Sequence, residues 1–224
     1  MEPQELGTDM AALIEIGAAN EADIPVLGQL ASKAFAEIPL DYIGYKAHRR
    51  GIESVKLFTN VAREDMADPA SHIFRATNKS NGEIVGYGAV TFVDPKRKEK
   101  RPGPCGKESI DVNPEFAKLF YGQLEAKYQQ HMDGKKHVVW SSLYVLPLYQ
   151  GRGIGRQLLD WGFTNFEIGR YPIWLSTTAR ARLFYLKYGW EDVDHVDIDL
   201  AKWTVPLSGF GMHRTPCMIR KPTS

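Results

Sequence analysis

Cysteine, long apolar runs and an excess of either charge are all scarce in this chain of 224 residues. Its two cysteines, Cys105 and Cys217, are too few for a disulfide framework and lack the spacing of metal ligands, so both are expected to be reduced thiols. No stretch approaches the roughly eighteen consecutive apolar residues that cross a membrane, so no membrane partner is expected. A formal net charge of +1 gives no reason to expect nucleic acid as a partner.

A targeting signal and a metal-binding pattern are missing as well. The amino-terminal stretch MEPQELGTDM is acidic and lacks the apolar core of a secretory signal. Residues 1–10 are therefore expected to be a disordered leader, residues 11–224 a single domain, and the protein cytoplasmic. Several histidines stand alone without ligand spacing, so no metal is expected. These histidines are His48, His72, His131 and His213.

The most informative segment runs from Val138 to Phe166. Its first part, up to Leu146, is a run of β-branched and aromatic residues that is too short for a helix and predicts a buried strand. Pro147 lacks an amide hydrogen and is expected to end that strand. A glycine-rich loop follows, and apolar residues then recur at helical spacing, which predicts a helix. The loop is Gln150-Gly151-Arg152-Gly153-Ile154-Gly155-Arg156, and the apolar helix positions are Ile154, Leu158, Leu159, Gly162 and Phe166.

This loop is expected to bind a pyrophosphate group. Three glycines at alternate positions leave backbone amides uncovered, and the helix that follows directs its unpaired N–H groups and its positive dipole end at the ligand. Arg152 and Arg156 add positive charge. The dinucleotide fingerprint G-x-G-x-x-G fails because Arg156 stands at its last position, and the phosphate loop G-x-x-x-x-G-K-[ST] fails because no Lys-Ser/Thr pair follows. The alternative is a tight turn that merely needs small residues.

A second informative segment begins with a short apolar strand, Ile173–Leu175. It continues as a predicted helix that Thr177 or Thr178 caps. Gly189 stands where a helix ends in the left-handed conformation. By spacing alone, Tyr185 would be a core aromatic residue. The residues at helical spacing are Ala181, Phe184, Tyr185 and Tyr188.

Together, the two segments resemble the GNAT superfamily of acyl-CoA-dependent N-acetyltransferases. After a strand that ends in Val-x-Pro, the loop fits the pattern Gln/Arg-x-x-Gly-x-Gly/Ala with Gln150, Gly153 and Gly155. An insertion over residues 94–136 and a tail over residues 213–220 resemble one fungal branch of this superfamily. The second segment fits the phrase A-x-x-F-Y-x-K-x-G-F/W at every position, with Ala181, Phe184, Tyr185, Lys187, Gly189 and Trp190.

The resemblance implies an α/β structure, the GNAT fold. Its sheet would be mixed and mostly antiparallel, with about seven strands, helices on both faces, and fourth and fifth strands that splay apart. The predicted order is β-α-α-β-β-insertion-β-α-β-α-β-β. Before the insertion, the predicted elements are a strand at Leu13–Ala18, a helix from Asn20 or Asp23 to Ala36, a helix at Tyr45–Asp65, and strands at His72–Thr77 and Ile84–Val93 around the turn Asn81-Gly82.

The insertion, residues 94–136, lies between the third and fourth strands. The basic run Lys96–Arg101 could serve as a nuclear address or a nucleic-acid patch. The interleaved Glu99 and the prolines favour a solvated loop, so no nucleic-acid partner is expected. A helix is predicted to begin at Asn113 and Pro114. Its apolar face is predicted to carry Phe116, Leu119, Phe120, Leu124 and Tyr128.

The resemblance also assigns residues to a site for acetyl-CoA, the expected cosubstrate. Backbone groups of the fourth strand would pair with the pantetheine amides, and the amide of Val145 would stabilise the oxyanion that develops from the thioester. The glycine loop would hold the pyrophosphate. Tyr185 would protonate the departing CoA thiolate. The assigned residues are Leu143, Tyr144, Val145, Gln150, Gly151, Arg152, Gly153, Ile154, Gly155, Arg156, Thr177, Ala181, Phe184, Tyr185 and Lys187.

The expected activity is transfer of an acetyl group from acetyl-CoA to a primary amine of a small molecule, by direct attack in a ternary complex. A protein or peptide N-acetyltransferase and a non-catalytic acyl-CoA-binding regulatory protein stay open as alternatives. The oligomeric state, monomer or homodimer, stays open too. No general base is assigned, because the fourth strand carries no carboxylate and nothing ranks the other candidates. These are Glu108, Asp111, His137 and His195.

Overall fold

A computed structural model describes residues 13–36, 50–96, 113–204 and 208–223 of the chain. Within these ranges, strands and α-helices follow one another in the predicted order. The strands are β1 Ile14–Ala18, β2 Ser71–Asn78, β3 Ile84–Val93, β4 His137–Val145, β5 Ile173–Ser176, β6 Trp190–Asp199 and β7 Met212–Arg220. The α-helices are α1 Ile24–Phe35, α2 Arg50–Ala67, α3 Pro114–Met132, α4 Ile154–Phe166 and α5 Ala179–Lys187.

The strands form a mixed, seven-stranded sheet in the order β1-β2-β3-β4-β5-β7-β6. β4 and β5 pair in parallel through residues 138–139 and 173–174. Antiparallel pairing joins β1 to β2, β2 to β3, β5 to β7, and β7 to β6. The predicted fold class, a mostly antiparallel α/β sheet whose fourth and fifth strands splay, is thereby confirmed.

The described residues divide into two compact units, each with its own buried core. The first unit lies within Met1–Phe35, Val55–Thr91 and Trp140–Ile168. The second lies within Ala36–Ser54, Phe92–Val139 and Gly169–Ser224. The glycine loop therefore belongs to the first unit, and the helix of the insertion belongs to the second.

In the first unit, helices cover both faces of the sheet. α1 and α2 pack on the face that carries Ile73, Tyr87 and Ala89, all of which are buried. α4 packs on the opposite face, where a Cβ added at Gly162 would lie 3.0 Å from the Trp140 ring. The prediction of helices on both faces is confirmed in this unit.

The side chains of β4 change face once within the first unit. Trp140 packs against Phe74 on the α4 side, with ring centroids 5.9 Å apart. Tyr144 packs against Tyr87 on the side of α1 and α2, with ring centroids 5.3 Å apart. In a regular strand, residues an even number of positions apart share one face. The alternation is therefore broken between Trp140 and Tyr144, as it is at a β-bulge.

A capping box starts the first helical segment. The Asn20 side chain accepts a hydrogen bond from the Ala22 amide at 2.9 Å. The Asp23 side chain accepts one from the Asn20 amide, also at 2.9 Å. Asn20 is thus the cap, and Asp23, the alternative that the sequence left open, is its partner in the box.

β2 and β3 form the predicted hairpin. Gly82 in its turn adopts φ +74°, a conformation that side chains disfavour, and its amide donates to the Asn78 carbonyl at 2.8 Å. Gly88 of β3 has no room for a side chain, because a Cβ at this position would lie 2.6 Å from the Phe74 ring.

α3, the helix of the insertion, packs in the second unit. Asn113 caps it as predicted, by accepting a hydrogen bond from the Phe116 amide at 3.1 Å. Phe116 and Phe120 are buried together with Val196 of β6. The prediction that Leu119 shares this face is wrong, because its side chain is 39% exposed. Successive residues of a helix are about 100° apart, and Leu119 lies past the edge of the stripe that Phe116 and Phe120 define.

A set of polar contacts, here named the α3 clasp, ties the second half of α3 to neighbouring strands. Lys127 and His131 bind the two carboxylate oxygens of Asp194 on β6, at 3.0 and 3.1 Å. The Tyr128 hydroxyl lies 2.8 Å from Nε2 of His137 on β4. Because Nδ1 of His137 donates to a backbone carbonyl at 2.8 Å, its Nε2 accepts the hydrogen bond from Tyr128.

Several predicted features lie outside the described residues. They are the leader 1–10, the part of the second helix before Arg50, most of the basic run Lys96–Arg101, and the side chains of His48, Cys105, Glu108 and Asp111.

Candidate functional site

The glycine loop, Gln150–Arg156, leads from the end of β4 into α4. A short 3₁₀ turn, Pro147–Tyr149, follows β4, so Pro147 ends the strand as predicted. Gly151 and Gly153 adopt φ +75° and +80°, and nothing lies within 4 Å of a Cβ added at either position. Glycine is therefore required here by the backbone conformation and not by crowding. The space in front of both residues stays open.

Gly153 is the N-cap of α4, and among the described side chains none caps this helix. The amide of Gln157 donates to the Gly153 carbonyl at 3.0 Å. This is the first hydrogen bond within α4, so the amides of Ile154, Gly155 and Arg156 before it have no partner within the helix. The positive end of the helix dipole adds to the attraction of these amides for an anion. Such donors beside open space fit an anion such as pyrophosphate.

Two arginines add positive charge to the glycine loop. Arg152 is exposed, and its guanidinium lies 6.0 Å from the centre of the Tyr149 ring, within the range of a cation–π contact. Arg156 is 69% exposed and lies 3.4 Å from Asp160. An ion pair this exposed contributes little and does not fix the guanidinium in place. Both arginines can therefore turn toward a bound anion.

The end of β4 is shaped by a close approach of β3. Leu143, Tyr144 and Val145 are half-buried. A Cβ on Gly86 of β3 would lie 2.9 Å from the Tyr144 carbonyl oxygen, so a larger residue would displace the end of β4. The absence of a Cβ at Gly86 therefore allows β3 to approach the end of β4 closely.

Two hydrogen bonds hold the peptide group that joins Val145 to Leu146. The Leu146 amide donates to the Val85 carbonyl of β3 at 2.9 Å. The Val145 carbonyl accepts a hydrogen bond from Nε2 of Gln150 at 3.0 Å. Sequence reasoning missed this second contact, because no periodicity relates a loop side chain to a carbonyl five positions before it. The only signal in the sequence is the Gln that heads the loop motif.

Tyr144 lies in a cluster of aromatic rings beneath α1 and α2. Its ring centroid is 5.3 Å from that of Tyr87, 5.8 Å from that of Phe58 and 6.4 Å from that of Phe35. Burial and the neighbouring Tyr144 raise the pKa of the Tyr87 hydroxyl, and a hydrogen bond with Ser142 opposes this only in part. Tyr87 therefore stays protonated, and the cluster is an uncharged aromatic surface beside the end of β4.

The second motif begins at the cap of α5. The Thr178 hydroxyl accepts a hydrogen bond from the Ala181 amide at 3.2 Å, so Thr178 is the cap. Thr177 instead donates its own amide to the Pro216 carbonyl of β7 at 2.9 Å. Gly189 follows the helix at φ +83°, as predicted for a residue that ends a helix in the left-handed conformation.

Tyr185 is the buried side chain of α5, with 6% of its surface exposed. Its ring meets those of Trp190 and Phe184 edge to face, at 5.4 and 5.3 Å. Phe184 is half-buried, whereas Lys187 is exposed. The Tyr185 ring is thus part of the core of the second unit, and any chemical role of the residue falls to its hydroxyl.

The two described candidates for a general base differ. His137 is buried, both of its ring nitrogens are engaged in the α3 clasp, and burial lowers its pKa. His195 on β6 is 46% exposed and lies 3.6 Å from Asp197. Because His137 has no nitrogen left to accept a proton from a substrate, it does not act as the base.

In the part of the chain that the structure describes, no group of three or more His, Cys, Asp or Glu side chains could hold a metal ion. No helix in the same ranges is long and apolar enough to cross a membrane. Cys217 is a buried free thiol, and burial together with the nearby Asp194 raises its pKa to about 11.

The model of the family described as "Acetyltransferase (GNAT) domain" matches residues 69–192. This range contains β2 to β5, the glycine loop, α4 and α5, and it extends into β6.

A curated relative is the probable acyltransferase SID5 from Ajellomyces capsulatus. It is 32% identical to this chain over 73 residues. The match covers 33% of this chain and 52% of that protein, so the chain spans about half the length of this relative.

Two solved structures share the fold over nearly their whole length. One is a histone acetyltransferase HPA2 and related acetyltransferase from Corynebacterium glutamicum, with a TM-score of 0.58 and 19% identity over 94% of this chain and 97% of the other. The second is the PaiA N-acetyltransferase from Thermoplasma acidophilum in complex with coenzyme A, with a TM-score of 0.53 and 13% identity over 93% and 98% of the two chains. At these identities the likeness is one of fold alone.

Proposed function

Because the chain belongs to the GNAT family of acetyltransferases, we propose that it transfers an acetyl group from acetyl-CoA to a primary amine of a small molecule. The amine attacks the thioester directly, in a ternary complex. The observation that carries this proposal is the glycine loop, where Gly151 and Gly153 are left-handed, the space before them is open, and the first amides of α4 have no side-chain cap. These features suit the pyrophosphate of CoA.

Each part of the site has a proposed role. The backbone of Leu143, Tyr144 and Val145 pairs with the amides of the pantetheine arm, because buried peptide groups need partners. The Val145 amide faces the negative charge that develops on the acyl oxygen, and donors placed for that charge lower the barrier. The Tyr185 hydroxyl gives its proton to the departing thiolate. Bound acetyl-CoA supplies the activated acetyl group.

Around the pyrophosphate, the glycine loop contributes backbone amides and arginine charge. Arg152 and Arg156 are exposed and not held by strong ion pairs, which supports this role. The remaining proposed contacts to the cofactor come from the second motif, namely Thr177, Ala181, Phe184 and Lys187.

The proposed acceptor is a small amine that arrives neutral or loses its proton to ordered water. His137 does not take that proton, since both of its nitrogens are engaged. The aromatic cluster around Tyr144 supports an amine with an apolar body, because it adjoins the end of β4 and carries no charged group among Phe35, Phe58 and Tyr87.

The proposal is tested by CoA release from acetyl-CoA over a panel of alkylamines, arylalkylamines, polyamines, amino acids, aminosugars and peptides. We expect turnover with one class of small amines and none with peptides. Because Cys217 is buried with a raised pKa, it adds little to a thiol-based signal while the protein stays folded.

Turnover of peptides with silence on every free amine would replace the small acceptor by a protein or peptide. Binding of CoA with no turnover on the whole panel would favour a CoA-binding protein without transfer. Where turnover occurs, mass spectrometry of the product identifies the acetylated atom.

A further inference from the structure

We infer that Gln150 is a positioning residue, whose side chain holds the end of β4 in place for the acyl group and does not bind the pyrophosphate. The inference rests on the proposed function, since it assigns a task to Gln150 within that site. It differs from the expectation that all of the loop residues Gln150–Arg156 bind the cofactor directly.

Nε2 of Gln150 donates to the Val145 carbonyl at 3.0 Å, and Gln150 is half-buried. The loop between the two residues is itself closed, because the Tyr149 amide donates to the Leu146 carbonyl at 2.8 Å and the Gln150 amide donates to the Pro147 carbonyl at 3.2 Å. The side chain of Gln150 thus completes a small hydrogen-bonded ring at the end of β4.

The backbone groups at the end of β4 point in alternating directions. Within a strand, the N–H and C=O of one residue point to the same edge, and those of the next residue point to the opposite edge. The Leu146 amide points to β3, where it donates to Val85. The amide and carbonyl of Val145 therefore point away from β3, toward the edge at which Nε2 of Gln150 meets the Val145 carbonyl.

A carbonyl oxygen accepts hydrogen bonds and cannot donate, so only a side chain with an N–H or O–H group can take the place of Gln150. Glutamine and arginine both carry such N–H groups, and they are the two residues that the motif Gln/Arg-x-x-Gly-x-Gly/Ala allows at this position. Phosphate binding by charge alone would not favour a neutral glutamine.

The Val145 carbonyl already accepts one hydrogen bond within the chain, from Gln150, and keeps one lone pair for a further donor. The adjoining residue of the loop is Gly151, the first left-handed glycine. Gln150 therefore links the residue proposed to meet the acyl oxygen with the loop proposed to meet the pyrophosphate.

The test compares Gln150→Met, which keeps the length of the side chain and removes the donor, with Gln150→Arg, which restores a donor. Gln123→Met, at a half-buried glutamine on α3, is the matched control. We expect kcat to fall about tenfold in Gln150→Met with KM for acetyl-CoA within about twofold, because a loss confined to kcat marks an interaction needed at the transition state. In Gln150→Arg, kcat should return to within about threefold of the parent.

Calorimetric titration with ADP, which carries the pyrophosphate without the acyl arm, distinguishes a residue that positions β4 from one that binds the pyrophosphate. The ADP Kd should be unchanged in Gln150→Met. An ADP Kd about tenfold weaker with kcat unchanged would overturn the inference and make Gln150 a pyrophosphate ligand. Tighter ADP binding in Gln150→Arg without recovery of kcat would also count against it.

Hydrogen exchange of the free protein keeps the inference separate from the proposed function. Peptides that cover residues 143–151 should exchange faster in Gln150→Met and recover in Gln150→Arg, whether or not any amine is acetylated. Equal exchange in all three proteins would overturn the inference even if the enzyme is active. A parent protein that acetylates no amine but shows the expected exchange pattern would remove the proposed function and leave the contact of Gln150 with Val145 standing.

Discussion

The glycine loop and the α3 clasp hold their helices in opposite ways. At the start of α4, the loop uses left-handed glycines and uncapped amides, and its exposed Arg156–Asp160 pair is weak. In the α3 clasp, side chains pair with side chains, and Asp194 is only 17% exposed where it meets Lys127 and His131. One region leaves its polar groups available to a ligand, and the other satisfies them within the chain.

This difference indicates that the glycine loop is suited to binding a ligand, whereas the α3 clasp stabilises the fold. Unpaired backbone donors cost stability unless water or a ligand satisfies them, so a region that keeps them is suited to binding. Paired side chains with low exposure stabilise the place of α3 and offer little to a ligand. The three substitutions below act on the proposed proton donor Tyr185, on the glycine loop and on the α3 clasp. Each substitution should leave the other two parts of the molecule unchanged.

Tyr185→Phe should have the largest effect. It keeps the buried ring against Trp190 and removes only the hydroxyl, so kcat should fall about 100-fold while the Kd for CoA stays the same. Steady-state kinetics and calorimetry measure the two quantities. Tyr188→Phe, at the half-buried tyrosine that follows α5, is the control and should change neither. A kcat that equals that of the parent would return Tyr185 to a purely structural role.

Gly153→Ala should have the second largest effect. The residue sits at φ +80°, so the free energy of unfolding should fall by about 1 kcal/mol, and the new methyl group should disturb the amides that face the ligand. We expect CoA to bind about tenfold more weakly.

Gly209→Ala is the matched control for the loop. Gly209 has the same φ of +80°, with nothing within 4 Å of an added Cβ, and it lies in the second unit. It should lose the same stability with no change in the CoA Kd. Equal loss of CoA affinity in both variants would mean that the effect comes from general destabilisation and not from the loop.

Asp194→Asn should have the smallest effect and should leave CoA binding unchanged. Burial alone would raise the pKa of Asp194, but the contacts with Lys127, the His195 amide and His131 outweigh it and lower the pKa from 3.8 to about 2. The free energy of unfolding should fall by about 1 kcal/mol at neutral pH in urea denaturation.

The sign of the pH dependence follows from the lowered pKa. A carboxylate with a lower pKa in the folded state stabilises the fold above its unfolded pKa, and it loses this contribution as the pH falls toward its folded pKa. The difference between the parent and Asp194→Asn should therefore be full above about pH 4 and should vanish near pH 2. A pH-independent difference between the parent and Asp194→Asn would assign the loss of stability to packing.

Glu191→Gln, at an exposed ion pair with Lys221, is the control and should lower the free energy of unfolding by less than about 0.5 kcal/mol.

Much of the fold and the site follows from short-range patterns. Pro147 ends β4, Gly151 and Gly153 are left-handed, and Asn20 and Asn113 cap their helices. Each of these depends on the conformation or the hydrogen bonds of neighbouring residues, and the amino-acid types alone predict it. The same patterns indicated the family before any strand was placed.

The contacts of Gln150 and Asp194 and the exposure of Leu119 could not be predicted from the amino-acid types of neighbouring residues. Gln150 reaches the Val145 carbonyl because a turn folds the loop back on the strand. Leu119 is exposed because it lies past the edge of the buried stripe of α3. Asp194 meets His131 across 63 positions of sequence. Such contacts depend on the register of strands and on which helix face meets the sheet. Local residue preferences therefore specify the loop that would bind a ligand, whereas the packing of distant segments specifies what holds that loop and α3 in place.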